Sequence, residues 1–169
     1  MPISRKSCVH EAGHAVAWVL NGYKLKQVVG YTSLNQSAHT QVEKRGHSCD
    51  ACGSCQNDDL NLDCSQCVSW FTNHLTCIFA GGAATAALLP DVHTQAQISH
   101  DLDDINCLLA QISDLRLQLK LRCDAEGRAQ ALIVREKGAI NALAVALMMS
   151  GKIDGAVAEE IIKANLNVE

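Results

Sequence analysis

The first clear pattern in the chain is a run of apolar residues at helical spacing between Ser4 and Asn21. Spacings of three and four positions place successive apolar side chains on one face of a helix. Ser4 is a favourable N-cap, and Asn21 followed by Gly22 favours termination. The pattern therefore predicts a helix over this run. Its apolar positions are Val9, Ala12, Val16, Val19 and Leu20.

Helical patterns return in the middle of the chain. A stretch beginning at Ser69 continues through the small residues of 81–87 and ends at Pro90. Its glycines and alanines allow a close approach, so we expect it to pack against the first helix. A periodic segment with acidic residues in its first turn then predicts one continuous helix from His100 to about Arg122.

The last part of the chain is also helical in pattern. Residues 124–147 predict a pair of helices or one bent helix, interrupted at Gly127 and Gly138. A short amphipathic helix is predicted over 154–166. We expect this bundle to serve packing rather than chemistry.

Two segments near the first helix have the character of strands. Tyr23–Tyr31 and His39–Glu43 combine alternation with β-branched residues, and a polar turn separates them. Residues 44–67 are rich in Gly, Ser, Asn, Asp and Cys and look irregular. The sequence therefore predicts a mainly α domain with a small β-hairpin or short sheet and a Cys-rich loop.

Composition is consistent with that fold class and gives no support to nucleic-acid binding or to a membrane-spanning segment. The chain has 169 residues, enough for one domain, and aromatic residues make up only 4% of it, which favours helix packing over a β-sandwich. Its net charge of -4 gives no reason to expect a nucleic-acid partner. No apolar stretch reaches the roughly 18–20 residues that span a bilayer, and the N-terminus lacks a signal-peptide core. These features predict a cytoplasmic location.

The first helix contains an HExxH pattern, His10-Glu11-Ala-Gly-His14. Residues four apart lie one turn above each other, so both imidazoles point the same way and can share a zinc ion. Glu11 is placed to reach a water bound to that ion and to act as general base when the water attacks a carbonyl. A chance match on a surface helix is the alternative.

A catalytic zinc takes three protein ligands, and the third is not adjacent in sequence. The extended metzincin motif would need a histidine at position 20, which is Leu20 here. A thermolysin-type site would need a glutamate about twenty residues on, whereas the next glutamate after Glu11 is Glu43. The third ligand is therefore expected from farther along the chain.

Several motifs in order resemble the protease domain of the FtsH family of ATP-dependent zinc metalloproteases. His10-Glu-Ala-Gly-His14-Ala-Val is similar to its active-site signature, and Phe79-Ala-Gly-Gly-Ala-Ala84 to its helix of small residues. Ser99-His-Asp-Leu102 is similar to a segment whose aspartate is the third zinc ligand in that family. Similarity continues through Ala131-Leu132, 142–147 and Lys152-Ile-Asp-Gly155, so the resemblance spans most of the chain.

The resemblance implies a single zincin-like metallopeptidase domain over 1–169, with Asp101 as the third zinc ligand. Asp104 is the rival for that role because Asp104-Ile105 repeats the same two-residue core. The chain departs from the family in lacking a P-loop pattern and the acidic pair after the small-residue helix, and in carrying a Cys-rich insertion at about 44–68.

Nine cysteines fall into two groups. We expect four scattered ones to be small buried apolar residues: Cys8, Cys77, Cys107 and Cys123. Five crowd into the insertion: Cys49, Cys52, Cys55, Cys64 and Cys67. Two CxxC pairs separated by eleven residues have the spacing of a structural zinc site. Its expected ligands are Cys49, Cys52, Cys64 and Cys67, with Cys55 as a rival. Redox-active or free thiols, or no role at all, are the alternatives.

Two functions are compatible with these patterns. The first is a zinc-dependent metallopeptidase that hydrolyses peptide bonds of unfolded or short polypeptides, helped by a separate ATPase partner or by assembly into a homo-oligomer. The second is a catalytically silent, zinc-stabilised binding or regulatory module of the same fold. Glu11 favours the first, because a binding module has no need of a carboxylate between two ligands.

Overall fold

In a computed structural model of the protein, the described residues are 3–30, 38–43, 62–91 and 95–167, with backbone only for 95–99. These residues form helices and a small antiparallel sheet, in agreement with the predicted mainly α fold class. The helices are α1 (Arg5–Leu20), α2 (Ser65–Leu88), α3 (Gln95–Leu109), α4 (Leu115–Arg135), α5 (Lys137–Ser150) and α6 (Gly155–Ala164). The strands are β1 (Leu25–Val29), β2 (His39–Val42) and β3 (Lys152–Asp154).

The predicted first helix is confirmed as α1, and it is buried among α2, α5 and the sheet. Its N-cap is Ser4, whose hydroxyl accepts a hydrogen bond from the Ser7 amide at 3.5 Å. Every residue from Ser7 to Trp18 is buried, because α2 and α5 pack against it and the sheet lies beside it. A helix covered in this way needs a compatible partner for each polar side chain it carries.

The sheet has the order β2-β1-β3, with both pairs antiparallel. Val28 at its centre lies opposite Thr40 on one side and Ile153 on the other. The two predicted strands are confirmed. Strand β3 was not predicted, because it is three residues long and its pairing with β1 joins distant parts of the chain.

The predicted continuous helix from His100 to about Arg122 is wrong. Helix α3 ends at Leu109 and α4 begins at Leu115. Asp114 is the N-cap of α4 and accepts hydrogen bonds from the amides of Arg116 and Leu117. An aspartate that caps a new helix in this way competes with continuation of the preceding one. The apolar period in the sequence therefore spans two helices.

The division between α4 and α5 lies at Glu136, not at the predicted glycines. Gly127 is inside α4 and Gly138 inside α5. The buried Glu136 carboxylate accepts hydrogen bonds from Arg135 Nε at 2.6 Å and from the Asn167 amide at 3.1 Å. The predicted C-terminal helix is confirmed as α6.

Most of the Cys-rich insertion lies outside the described residues. Its last part, from 62 to 68, is described and leads directly into α2 at Ser65. Among the described helices, none combines the length and the apolar character that crossing a membrane requires.

Candidate metal centre

Three potential metal ligands come together beside the central helix: His10 and His14 from α1, and Asp101 from α3. Both imidazoles are buried, and the Asp101 side chain is 18% exposed. The helical repeat aligns His10 with His14, and α3 brings the carboxylate across from a position almost ninety residues later in the chain. We call this group the histidine–aspartate cluster.

The three ligand atoms form a nearly equilateral triangle. His10 Nε2 and His14 Nε2 are 3.0 Å apart, and Asp101 Oδ2 lies 3.2 Å from the first and 3.4 Å from the second. A tetrahedral ion with bonds of about 2.0–2.1 Å separates neighbouring ligands by about 3.3–3.4 Å. The triangle therefore has the size of one face of such a coordination shell.

The hydrogen bonding of the cluster also fits a metal ion. His14 Nδ1 lies 2.9 Å from the Cys77 carbonyl oxygen, so this nitrogen carries the proton and Nε2 presents its lone pair. Asp101 Oδ2 is buried and has no well-directed hydrogen bond from any described residue. His14 Nε2, Asp101 Oδ2 and the nearby His10 Nε2 thus face a common point, and a cation there would satisfy all three together.

The electrostatics of the cluster favour positive charge. Burial alone lowers the pKa of His14, but contact with the Asp101 carboxylate, aided by the charge of Glu11, raises this pKa to about 9. Burial raises the pKa of Asp101, whereas contact with both imidazoles lowers it to about 2. In the absence of a metal, the His14 ring therefore holds a second proton, in addition to the one on Nδ1, beside the ionised Asp101 carboxylate.

Close packing between α1 and α2 sets the position of His14. A Cβ atom at Gly81 would lie 2.3 Å from His14 Nε2, and one at Gly13 would lie 2.6 Å from the Ala80 carbonyl oxygen. Both contacts are closer than a side chain permits. The imidazole of His14 therefore occupies space that only glycine leaves open at position 81.

Glu11 lies beside the cluster without joining it. Its side chain is buried, with 5% of the residue exposed. The Thr40 hydroxyl, on β2, is 2.9 Å from Glu11 Oε2 and equally 2.9 Å from the Glu11 carbonyl oxygen. Among the described residues, only the two histidines and Asp101 group as ligands. Glu11 is thus held by the sheet and left unused as a ligand.

The structure distinguishes Asp101 from its rival. Asp104 is exposed and lies outside the cluster, although it is only three positions farther along α3. Its charge acts on His74 instead. The helical repeat of α3 therefore carries the two carboxylates to different surroundings.

The predicted cysteine ligands lie only partly within the described residues. Cys49, Cys52 and Cys55 lie outside the described residues, while Cys67 is buried in α2 and Cys64 is its N-cap. Of the four scattered cysteines, Cys8 and Cys77 are buried as expected. The same expectation is wrong for the remaining two, because Cys107 and Cys123 are exposed.

Three contributors to the site were not predicted from the sequence. They are Thr40, which contacts Glu11, the Cys77 carbonyl, which orients His14, and Gly81, which gives His14 room. A backbone carbonyl has no sequence signature, and a threonine on a strand is ordinary. The small residues around Gly81 did predict close packing with α1, but not against an imidazole.

Comparison with known proteins adds no further assignment. The chain matches no protein-family model, and no curated protein is significantly similar to it.

Proposed function

We propose that the protein is a zinc-dependent metallopeptidase. The observation that carries the proposal is the buried triangle of His10, His14 and Asp101, with the carboxylate of Glu11 next to it and outside it. Catalytic zinc sites use three protein ligands and leave one position open. A carboxylate that adjoins such a site without filling the fourth position is suited to act as a base.

Zinc is the ion that this donor set favours. Two imidazoles and one carboxylate are typical ligands of zinc, and their separations of 3.0, 3.2 and 3.4 Å suit bonds of zinc length. Calcium and magnesium prefer more oxygen ligands. His10 Nε2, His14 Nε2 and Asp101 Oδ2 would hold the ion.

A zinc ion at this position supplies Lewis acidity toward a peptide carbonyl and toward water. Glu11 accepts a proton from the attacking water and delivers it to the amine that leaves when the peptide bond breaks. Thr40 holds the carboxylate in place for both transfers. Cys77 keeps the His14 ring in the orientation that ligation needs.

Strand β2 supports a polypeptide as the substrate. It is one of the two edge strands of the described sheet, and it carries Thr40 next to Glu11. An extended peptide can pair with such an edge through its main chain. This mode requires an unfolded or short polypeptide, because a folded chain does not present a free strand.

The resemblance to the FtsH protease domain supports the same function. In that family the peptidase acts with an ATPase, and we extend the proposal to a separate ATPase partner or a homo-oligomer. A second, structural zinc ion in the cysteine segment is a further part of the proposal. Its ligands would be Cys49, Cys52, Cys64 and Cys67, with Cys55 as the rival.

The decisive experiment combines metal content with peptidase activity on fluorescein-labelled, unfolded casein. We expect His14→Ala to contain one zinc ion fewer per chain than the wild type and to be inactive. Glu11→Gln should keep its zinc and lose about 10²–10⁴-fold in activity, because general-base catalysis contributes that much. Because the zinc content of each variant is compared with that of the wild type, any ion held by the cysteines cancels in the difference.

The matched control is Glu126→Gln, which removes an exposed carboxylate of α4 and should leave both measurements unchanged. A wild type that binds zinc at the cluster but cleaves no unfolded polypeptide would instead support the binding module. A zinc content that His14→Ala leaves unchanged would show that the metal is not bound at the histidine–aspartate cluster.

A further inference from the structure

Helix α3 carries the third ligand of the histidine–aspartate cluster, and it belongs to a different hydrophobic core from the two histidines. Ile105 and Leu109 of α3 pack with Phe71 and Leu75 of α2 in a core that residues of α4 complete. Residues of α1, α5, α6 and the sheet form a separate core, and α2 contributes to both. The cluster therefore lies where an element of one core meets an element of the other.

Few contacts hold the part of α3 that carries Asp101. This carboxylate lies 3.2 Å from His10 Nε2 and 3.4 Å from His14 Nε2. Leu102 is partly buried against the α2–α4 core, whereas Asp104 is exposed. Among the α3 side chains that the structure describes, from His100 onward, no other hydrogen bond or ion pair joins α3 to α1 or α2. The contact with the two imidazoles is thus the main polar attachment of this part of the helix.

The sequence of α3 is poorly suited to a helix that stands alone. The helix begins at Gln95, so Asp101, Asp103 and Asp104 lie in its middle and not in the first turn, where the helix dipole would favour them. Aspartate is a weak helix former, and like charges three positions apart repel each other. Isolated helices of about 15 residues are marginal in water. Helix α3 therefore depends on its contacts with the rest of the protein.

The other end of α3 is anchored and has open space beside it. Ile112, in the turn that joins α3 to α4, is only 1% exposed and packs in the α2–α4 core. A groove of about 520 Å³ lies between the last turn of α3 and the first turns of α4. Hinges in proteins are a few residues at the ends of elements that absorb a change of backbone angles. The turn at 110–114 is suited to be such a hinge for α3.

A metal ion must also be able to reach the cluster. His10 and His14 are 4% and 8% exposed, and the Asp101 carboxylate lies against the Nε2 atoms of both. A metal site needs an entry path. Movement of α3 away from α1 would open one, because it withdraws the carboxylate that faces the two imidazoles.

We propose that metal occupancy controls the docking of α3 against α1. With zinc bound, Asp101 joins the two cores through the ion. Without it, only the partly exposed contact between Asp101 and the imidazoles remains, and the first part of α3 swings out about the 110–114 turn. An ion that needs all three ligands stabilises the docked state selectively. The proposal rests on the metal site of the proposed function and not on peptide hydrolysis.

Hydrogen–deuterium exchange followed by mass spectrometry tests the proposal on the full chain, in zinc and in excess chelator. In chelator, the amides of 100–109 should exchange at least about tenfold faster than those of α4, because local opening costs less than global unfolding. Zinc should slow exchange in 100–109 by at least about tenfold and slow exchange in α4 by a smaller factor. The zinc content of each sample is measured in parallel.

Two matched variants separate the clamp from other effects of zinc. Asp101→Asn removes a ligand, so zinc should no longer slow exchange in 100–109. Asp104→Asn makes the same change at an exposed position outside the cluster and should keep the wild-type response. His14→Ala removes the clamp from the α1 side and should behave as Asp101→Asn does. Circular dichroism verifies that each variant is folded, and any ion held by the cysteines is common to all of them.

The possible outcomes are distinguishable. Equal exchange of 100–109 in zinc and chelator, equal slowing of α3 and α4, or a zinc response that survives Asp101→Asn would overturn the proposal. An active peptidase whose α3 does not respond to zinc would overturn this proposal alone. A zinc response of α3 in a protein that cleaves no casein would support it and contradict the peptidase. A cluster that binds no zinc would contradict both.

Discussion

Thr40 on strand β2 and Glu11 on helix α1 are joined by a hydroxyl that lies 2.9 Å from the Glu11 carboxylate. The same hydroxyl is 2.9 Å from the Glu11 main-chain carbonyl, so strand and helix are linked at the position of the proposed base. A hydrogen bond to an ionised group is among the stronger ones in proteins. This contact fixes where the carboxylate points relative to the histidine–aspartate cluster.

Removal of the Thr40 hydroxyl should therefore slow peptide hydrolysis without removing the metal. Thr40→Val keeps the side-chain shape, and we expect kcat to fall about ten- to a hundredfold through misplacement of Glu11. Thr40→Ser restores a hydroxyl and should recover most of the rate. Steady-state kinetics on a short fluorogenic peptide and zinc content measure both effects. Equal activity in the Val and Ser variants would contradict the assignment.

Gly81 should be required for metal binding, whereas its neighbour should not. In Gly81→Ala the new methyl group would meet His14 Nε2 at 2.3 Å, so the imidazole must move. We expect zinc affinity to fall about 10- to 100-fold, as it does when the groups that orient ligands are changed. Gly82→Ala is the matched control, because a Cβ at Gly82 meets nothing within 4 Å.

Competition with a chromophoric zinc chelator measures the affinities of both glycine variants. The control should bind zinc as the wild type does and gain slightly in stability from the better helix former. Similar zinc affinities in the two variants would show that the close contact does not constrain His14.

The stability of the protein should depend on pH through His74. Its ring lies 4.9 Å from the Trp18 ring and 5.3 Å from the Trp70 ring, measured between centroids. Burial lowers the pKa of His74 below 6.5, and the charge of Asp104 opposes this in part. The unfolded chain therefore binds the proton more readily than the folded protein does.

The contribution of neutral His74 to the free energy of unfolding is complete above pH 6.5 and is lost as the pH falls from 6.5 through the folded pKa. In His74→Phe, which keeps an aromatic ring, the free energy of unfolding should decline less steeply as the pH falls. Urea unfolding in excess chelator measures this difference without a contribution from metal release. If the free energy of unfolding depends on pH with the same slope in the wild type and in His74→Phe, the prediction is refuted.

Thiol reactivity should divide the four scattered cysteines into two classes. Burial, with a smaller effect of the Glu11 charge, raises the pKa of Cys8 to about 11, and burial raises the pKa of Cys77 above its usual range. Cys107 and Cys123 are exposed. Because the thiolate is the reactive form, iodoacetamide at neutral pH should modify the exposed pair first.

Peptide mapping by mass spectrometry reads out each site, and alkylation in urea is the control in which all thiols react. Rapid modification of Cys8 in the folded protein would mean that α1 opens locally or packs less tightly than described, and rapid modification of Cys77 would mean the same for α2.

Local patterns in the sequence were enough for the elements around the site. Ser4, the apolar period and Asn21 predicted α1, and the HExxH spacing predicted that His10 and His14 share a face. These predictions succeed because a helix fixes the relation between residues four positions apart. The resemblance to a known family added Asp101, which adjacency in sequence alone does not assign.

Where helices stop was harder to predict. The period through Leu119 crosses the turn at Asp114 without interruption, and at the next turn the Glu136 carboxylate accepts a hydrogen bond from the distant Asn167 amide. Strand β3 exists only because β1 is there to pair with it. The cap at Asp114 is local, but the uninterrupted apolar period hides it in the sequence. The contacts at Glu136 and β3 join distant residues, for which one sequence holds no local signal.

The sequence by itself determined which groups can bind a metal and which can act as a base. Only the tertiary structure decided that Asp101, and not Asp104, lies in the cluster, and that Thr40, Cys77 and Gly81 surround it. The physical reason is that ligand chemistry resides in side chains, whereas the positions of ligands depend on how α2, α5 and the sheet pack around α1 and how α3 packs on α2. That packing is a property of the whole chain.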